Sequence, residues 1–306
     1  MTGHYISDFV STFVSMFVSR CAKLCSSIAL LCCALLLAPT SLIAEEPKAT
    51  SADALHASWD QLLSKHVKEH TRADGAKQLI VASAVDYAGF FNDRKQLQAY
   101  IDQLQALSYE QYQTWSSAKQ LAFLINAYNA LTVELVLSEY PNISSIKELG
   151  SLFQSPWQRD VFMLFGENVS LDDIEHGWIR GASAKHSGFK EPLIHFAVNC
   201  ASLGCPALRA EAYTEEKLEQ QLQSQARGFM SDTSRNYVQG QRVYLSKIFD
   251  WYEEDFEQGW RGYSGLDDVI MAFSEELKLT PEQLKALKQG KLSIRFTDYD
   301  WGLNSQ

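Results

Sequence analysis

The segment His195-Phe-Ala-Val-Asn199-Cys200-Ala-Ser202-Leu-Gly-Cys205-Pro206 gathers an imidazole, an amide, a hydroxyl and two sulfurs within twelve residues. A cysteine acts as a nucleophile only as thiolate, so it needs a nearby base and a third group to orient that base. Cys200 is the candidate nucleophile. His176 is the candidate base, because Arg180 shares its predicted helix face at i+4 and Glu175 is adjacent. Residues 193–198 read as a strand, and five positions along a strand put His195 on the face opposite Cys200, a poor place for its partner. Glu175, Asn126 or Asn129 would orient the base or stabilise an oxyanion. His195, Asn199, Ser202, Arg180, Asp173 and Trp251 are the candidate binding residues.

Each of these has a plainer reading. Cys200 and Cys205 can form a disulfide, which leaves no nucleophile. A zinc site would need both cysteines and one or two of His176 and His195. Cys-x4-Cys has no second paired cluster here, so no metal and no cofactor is assigned. Asn126 and Asn129, three apart on an apolar helix, can hold neighbouring backbone, since buried amides must be hydrogen-bonded. Asp173, His176 and Arg180 can form an ion network that ties a short helix to the core. Lys247 and Asp250 read as a helix-surface pair. Trp251, Tyr252, Tyr299 and Trp301 read as core or groove walls.

The elements that must position these groups are mostly helices. Asp53–Lys68, with Asp53 as cap, and Asp93–Leu107 show helical apolar stripes. Leu121–Glu139 is apolar nearly all round, predicting a buried helix that stops before Tyr140-Pro141. Residues 160–165 read as a strand turned by Gly166-Glu167-Asn168. Ser170 then caps a short helix over 171–180, with Asp173 at its third position. Thr214–Met230 reads as an exposed, charged helix. Gln241–Leu245 reads as a strand, followed by a helix over 247–256 capped by Ser246. Helices over 267–277 and 281–288 precede a strand over 291–296, with Thr280 and Pro281 starting the second helix. No repeat and no flexible linker splits the chain. The fold class is therefore α+β: one mostly helical domain over 53–306 with a few short strands.

The N-terminus reads as an export signal. Ile28–Ala38 is an uncharged apolar run preceded by Arg20 and Lys23 and followed by Ser41-Leu42-Ile43-Ala44. Residues 1–44 are taken as the signal, with Met16 an equally good start, and 45–52 as a polar linker. Eleven apolar residues fall short of the roughly 20 that span a bilayer, so the mature chain is expected to have no stable membrane span. The cut removes four of the six cysteines and leaves Cys200 and Cys205 in an oxidising periplasmic or secreted setting. The 306 residues carry 27 Lys and Arg against 37 Asp and Glu, which argues against a nucleic-acid partner. A hydrophobic share of 46% excludes a disordered chain.

Five motifs occur in order: 121–132 (LAFLINAYNALT), 173–177 (DIEHG) with Arg180, 195–206, 245–252 (LSKIFDWY) and 299–304 (YDWGLN). Together they resemble the family catalogued as domain of unknown function 547, from about residue 115 to the end. Gly302 departs from the pattern, which has Ser or a similar residue there. The resemblance implies a fold and a set of motif residues, and no reaction. Two functional expectations follow from the residues themselves. One is a thiol-dependent hydrolase or acyl transferase. The other is a non-catalytic, disulfide-stabilised binding module of the cell envelope, with a small-molecule, peptide or glycan ligand.

Overall fold

Helix α5 (Ser117–Leu137) organises the fold. Ser116 caps it by accepting from the Lys119 amide at 3.2 Å. Sixteen of its 21 side chains are buried. By length and apolarity it could cross a membrane, yet 89% of that stretch is buried inside the protein. Packing from all sides accounts for its composition. The computed structural model describes residues 52–74, 77–151, 154–160, 162–182 and 186–306. The expected signal, and the linker up to residue 51, lie outside them.

Around α5 stand α1 (Ala52–His66), α2 (Tyr87–Asn92), α3 (Arg94–Gln105) and α4 (Tyr109–Gln113). The predicted stripe of α3, Leu97, Tyr100, Ile101 and Leu104, is buried. Helix α1 begins at Ala52, so Asp53 lies inside it rather than capping it. Between α1 and α2 runs an antiparallel hairpin of β1 (Val67–Asp74) and β2 (Lys77–Val85) to which the sequence gives no signal. Only Val67 is buried among the described side chains of β1, so the alternation that marks a strand is missing.

After α5 comes a second hairpin, β3 (Phe162–Leu164) and β4 (Glu167–Val169): the expected strand and turn are present, but Glu167 and Asn168, read as turn, belong to the returning strand. Ser170 does cap the next turn: its Oγ accepts from the Asp173 amide at 3.1 Å, and its own amide donates to Asp173 Oδ2 at 2.8 Å. The helix that follows is widened, with π geometry over Asp173–Ile179 and the Arg180 amide reaching the Glu175 carbonyl at 2.9 Å. Such widened turns recur at functional sites.

Residues 192–196 are a buried 3-10 turn, not the expected strand. Pro192 starts it and the Glu191 carboxylate caps the Leu193 amide at 2.9 Å. A short apolar run looks the same in either form. Helix α6 (Leu218–Ser231) is likewise not the exposed helix expected. Gln221 and Gln225 lie on its buried face and donate to the carbonyls of Ala212 and Ala207 at 2.9 and 2.7 Å. Gly228 brings the α6 backbone so close to β2 that an added Cβ would stand 2.0 Å from the Ile80 oxygen.

Strand β5 (Tyr237–Gln239) pairs antiparallel with β6 (Arg242–Leu245). The expected helix over 247–256 is two short ones, α7 (Ile248–Trp251) and α8 (Glu253–Glu257), broken at Tyr252 where φ reaches −119°. Lys247 and Asp250 form the expected surface pair at 2.6 Å. Helix α9 (Leu266–Ala272) is shorter than predicted, and α10 (Pro281–Lys288) has the predicted bounds and a Thr280 capping box. Strand β7 (Ser293–Phe296) lies parallel to β6. The chain's end then threads between β2 and residues 201–204, with Asn304 O accepting from Val85 N at 2.8 Å and Asn304 N donating to Ala201 O at 3.1 Å. Helices with a few short strands make this α+β, as the sequence implies.

Candidate functional site

One cavity of about 210 Å³ collects residues from seven parts of the chain. Helix α5 supplies Tyr128, and the widened turn supplies Asp172, Glu175 and His176. The 3-10 turn supplies His195, and the following loop supplies Cys200 and Cys205. Helix α7 and the break after it supply Trp251 and Tyr252; the tail supplies Tyr299 and Trp301, and Trp157 completes the wall. Asp172, Glu175 and His176 reach one face because i, i+3 and i+4 neighbour each other on a helix.

The floor is a chain of hydrogen bonds. Glu175 is buried and lines the cavity with Tyr128 and Tyr252. Burial raises both phenols, and the neighbouring carboxylate raises them further, so both stay protonated donors. His195 Nε2 stands 2.7 Å from Asp255 Oδ2. Arg180 clamps the same carboxylate through Nε and Nη2 at 2.6 and 3.0 Å. Arg180 Nη1 also donates to His176 Nδ1 at 2.7 Å, and His176 Nε2 faces Asp172 Oδ1 at 3.7 Å. Burial alone would raise the Asp255 carboxyl, but the hydrogen bonds from His195 and Arg180 outweigh it and hold Asp255 down at about 2. Burial lowers His195 more than Asp255 raises it, so the ring is neutral. With Nε2–H donating to Asp255, Nδ1 carries a lone pair. That nitrogen is buried and has no partner. Burial raises the Asp172 carboxyl, with His176 opposing it.

Cys200 and Cys205 are joined in a disulfide. The sulfur assigned as nucleophile is therefore not a thiol, and the His176–Cys200 pairing loses its chemistry. Tyr299 Oη lies over the bond, 3.1 Å from Cys200 Sγ and 3.2 Å from Cys205 Sγ, and 3.0 Å from Ser202 Oγ. The Tyr299 phenol is pushed up to about 12, chiefly by burial. Gly204 makes this stacking feasible: a Cβ there would meet the Tyr299 ring at 2.7 Å. No group of three or more His, Cys, Asp and Glu side chains among the described residues is placed to hold a metal.

The remaining expectations divide cleanly. Asn126 and Asn129 do not line the cavity; both hold backbone. Asn126 exchanges two hydrogen bonds with Tyr213, at 2.8 and 2.9 Å. Asn129 accepts from Asn199 N at 2.8 Å and donates to Ala197 O at 3.0 Å. Asn199 in turn donates to Pro206 O at 2.7 Å and shapes the disulfide loop. Asp173 is engaged in its cap, so the residue on the cavity face is Asp172. His195 shares the cavity with Cys200, because the turn that carries it is not a strand. Asp255, which anchors His195 and Arg180 beneath the cavity, is the site residue the sequence analysis misses. Its signal is a carboxylate three residues after Tyr252 and beside Phe256, on an otherwise apolar stripe.

Residues 112–230 match the family described as "Protein of unknown function, DUF547". The motif resemblance is thereby shown over that segment. No curated protein and no solved structure matches the chain. The DUF547 segment holds Tyr128, the widened turn, His195 and the disulfide. The aromatic rim and Asp255 come from residues beyond it.

Proposed function

We propose that this protein is an exported, non-catalytic binding module whose cavity takes a small ligand bearing a protonated amine beside an apolar face. The composition of the wall carries the reading. Six aromatic residues, Tyr128, Trp157, Trp251, Tyr252, Tyr299 and Trp301, and two carboxylates line the cavity, and no Lys or Arg stands among the described lining residues. A cation is drawn to aromatic faces and to carboxylates together. His195 Nδ1 adds a buried acceptor in want of a donor, which an ammonium supplies. The arginine beneath the floor is already committed to Asp255, so it does not compete. Export rests on the signal-like segment before residue 45.

The test is a titration of tryptophan fluorescence with benzylamine and, as its neutral counterpart, benzyl alcohol. Benzylamine is expected to bind at least about tenfold more tightly, the effect of about 1.4 kcal/mol from one charge-assisted contact. Glu175→Gln should remove most of that preference. Equal binding of the alcohol would overturn the amine reading in favour of a neutral ligand. A count of free thiols on the native exported protein should give none. A reactive Cys200 thiol would restore the hydrolase expectation, with His176 as its base.

A further inference from the structure

The disulfide sits where an inert staple has little to do. Its loop is held without it. Arg235 Nη1 donates to the carbonyls of Gly204 and Cys205 at 2.9 and 2.8 Å. The Leu203 and Gly204 amides reach Gly302 O and Asp300 O, each at 2.8 Å. Asn199 spans the loop from the Ala201 amide, at 3.0 Å, to the Pro206 carbonyl. The two sulfurs are also unlike. Cys200 is half-buried on the cavity wall, whereas Cys205 is 5% exposed. Cys205 Sγ accepts a backbone amide, from Cys200 at 2.9 Å; the Tyr299 and Ser202 hydroxyls stand within reach of both sulfurs, 3.2 and 3.4 Å from Cys205 Sγ and 3.1 and 3.2 Å from Cys200 Sγ. A neutral disulfide sulfur needs few donors. A thiolate uses all three.

We infer that Cys200–Cys205 is a redox-active disulfide that oxidises small thiols entering the cavity. The thiolate of the incoming thiol attacks Cys200 Sγ, the accessible sulfur, and forms a mixed disulfide. The Cys200–Cys205 bond breaks and its electron pair leaves on Cys205 Sγ, where the three donors receive it. A second thiolate attacks the incoming sulfur of the mixed disulfide and releases the substrate disulfide and the Cys200 thiolate. The two cysteine thiolates take up the two protons that the substrate thiols gave to water. Two thiols are oxidised to one disulfide, and the protein is reduced to its dithiol. Exchange rates rise as the leaving thiolate is stabilised and as the attacked sulfur is exposed. This oxidation consumes the disulfide once per protein molecule, so the module stays non-catalytic; it does not rest on the amine reading, and a neutral thiol keeps the two apart.

The native protein is mixed with 2-mercaptoethanol, quenched in acid and analysed by mass spectrometry. The adduct should sit on Cys200, and the reduction rate should rise in proportion to thiol concentration. An adduct on Cys205, or a rate that levels off at the unfolding rate, would overturn the proposal. Tyr299→Phe, which keeps the ring, should slow reduction by roughly fivefold through the lost donor to the leaving sulfur. An unchanged rate in a folded Tyr299→Phe protein would also overturn it. The adduct position in the native chain decides the matter if that variant fails to fold.

Discussion

Asp255 shows how much one buried carboxylate can organise. It accepts from His195 and from two nitrogens of Arg180, and through Arg180 it reaches His176. Removing it strands a half-buried guanidinium and takes from the buried His195 Nε2 its acceptor. Asp255→Ala should therefore cost about 3–5 kcal/mol, the usual cost of breaking a buried pair from one side. Urea unfolding followed by circular dichroism measures it. A loss under about 1 kcal/mol would mean that water replaces the carboxylate and that the network does not hold the floor. The two asparagines of α5 teach the complementary lesson. Sequence shows that a buried amide must be bonded; it does not show to what. Asn126 and Asn129 each have both ends on backbone, so their motif marks the loops they tie down. The position of Asp172 was within reach of helix arithmetic, being i−4 from His176. Asp173 serves the Ser170-x-x-Asp173 cap of the same turn, which leaves Asp172 to face His176.

At the scale of elements, what the sequence shows well is what repeats. The stripes of α3 and α5, the cap and bounds of α10 and the turn at Gly166 all follow from periodicity or from turn chemistry. What it hides is set by contacts distant along the chain. The face of α6 looks polar because Gln221 and Gln225 are glutamines, yet both satisfy carbonyls of the loop that carries the disulfide. The β1–β2 hairpin has no alternation to read, since α6 covers β2 at Gly228. That contact is testable. Gly228→Ala puts a methyl group within 2.0 Å of the Ile80 carbonyl, so helix and strand must separate. Overpacking costs about 1–3 kcal/mol, and a clash with backbone belongs at the upper end, against the roughly 1 kcal/mol that alanine gains over glycine in an open helix. A Gly228→Ala protein as stable as the parent in thermal unfolding would show that α6 does not sit on β2 so closely. The disulfide loop makes a second case. Closing a loop of this length contributes about 2 kcal/mol in the chain-entropy account. The double substitution Cys200→Ser, Cys205→Ser should lower stability by no more than that and leave the fold intact, because the hydrogen bonds from Arg235 and the tail remain. Unfolding of the double variant at room temperature would show the bond to be essential structurally.

Among the described residues, which from Ala52 onward belong to one compact unit, the buried titratable groups shape the pH dependence of stability. His56 is buried on α1, 2.7 Å from the Tyr100 hydroxyl, and burial together with the charge of Lys119 lowers it to about 3. His195 is lowered for the same first reason. Both rings bind a proton in the unfolded chain near the ordinary value of 6.5 and resist it in the folded one. Folded pKa values below the unfolded ones mean that the unfolded state takes up more protons as the pH falls. Their contribution is thus whole above about 6.5 and declines below it. Asp255 adds a second step of the same sign. Its folded value of about 2 lies under the ordinary 3.8, so its contribution, about 2 kcal/mol, is present above roughly pH 4 and is lost as the pH drops to about 2. The midpoint of urea unfolding should accordingly be flat near neutrality, begin to fall below about pH 6.5 and steepen below pH 4. Asp255→Asn separates the steps: it should reduce the acid step, to which Glu211 and Glu219, also lowered in the folded chain, contribute as well, and leave the one that begins near 6.5. His56→Gln should reduce the upper step and leave the lower. A midpoint that holds level from pH 7 to pH 5 would mean that the two imidazoles accept protons while folded, and that the cavity floor is wetter than its hydrogen-bond chain implies.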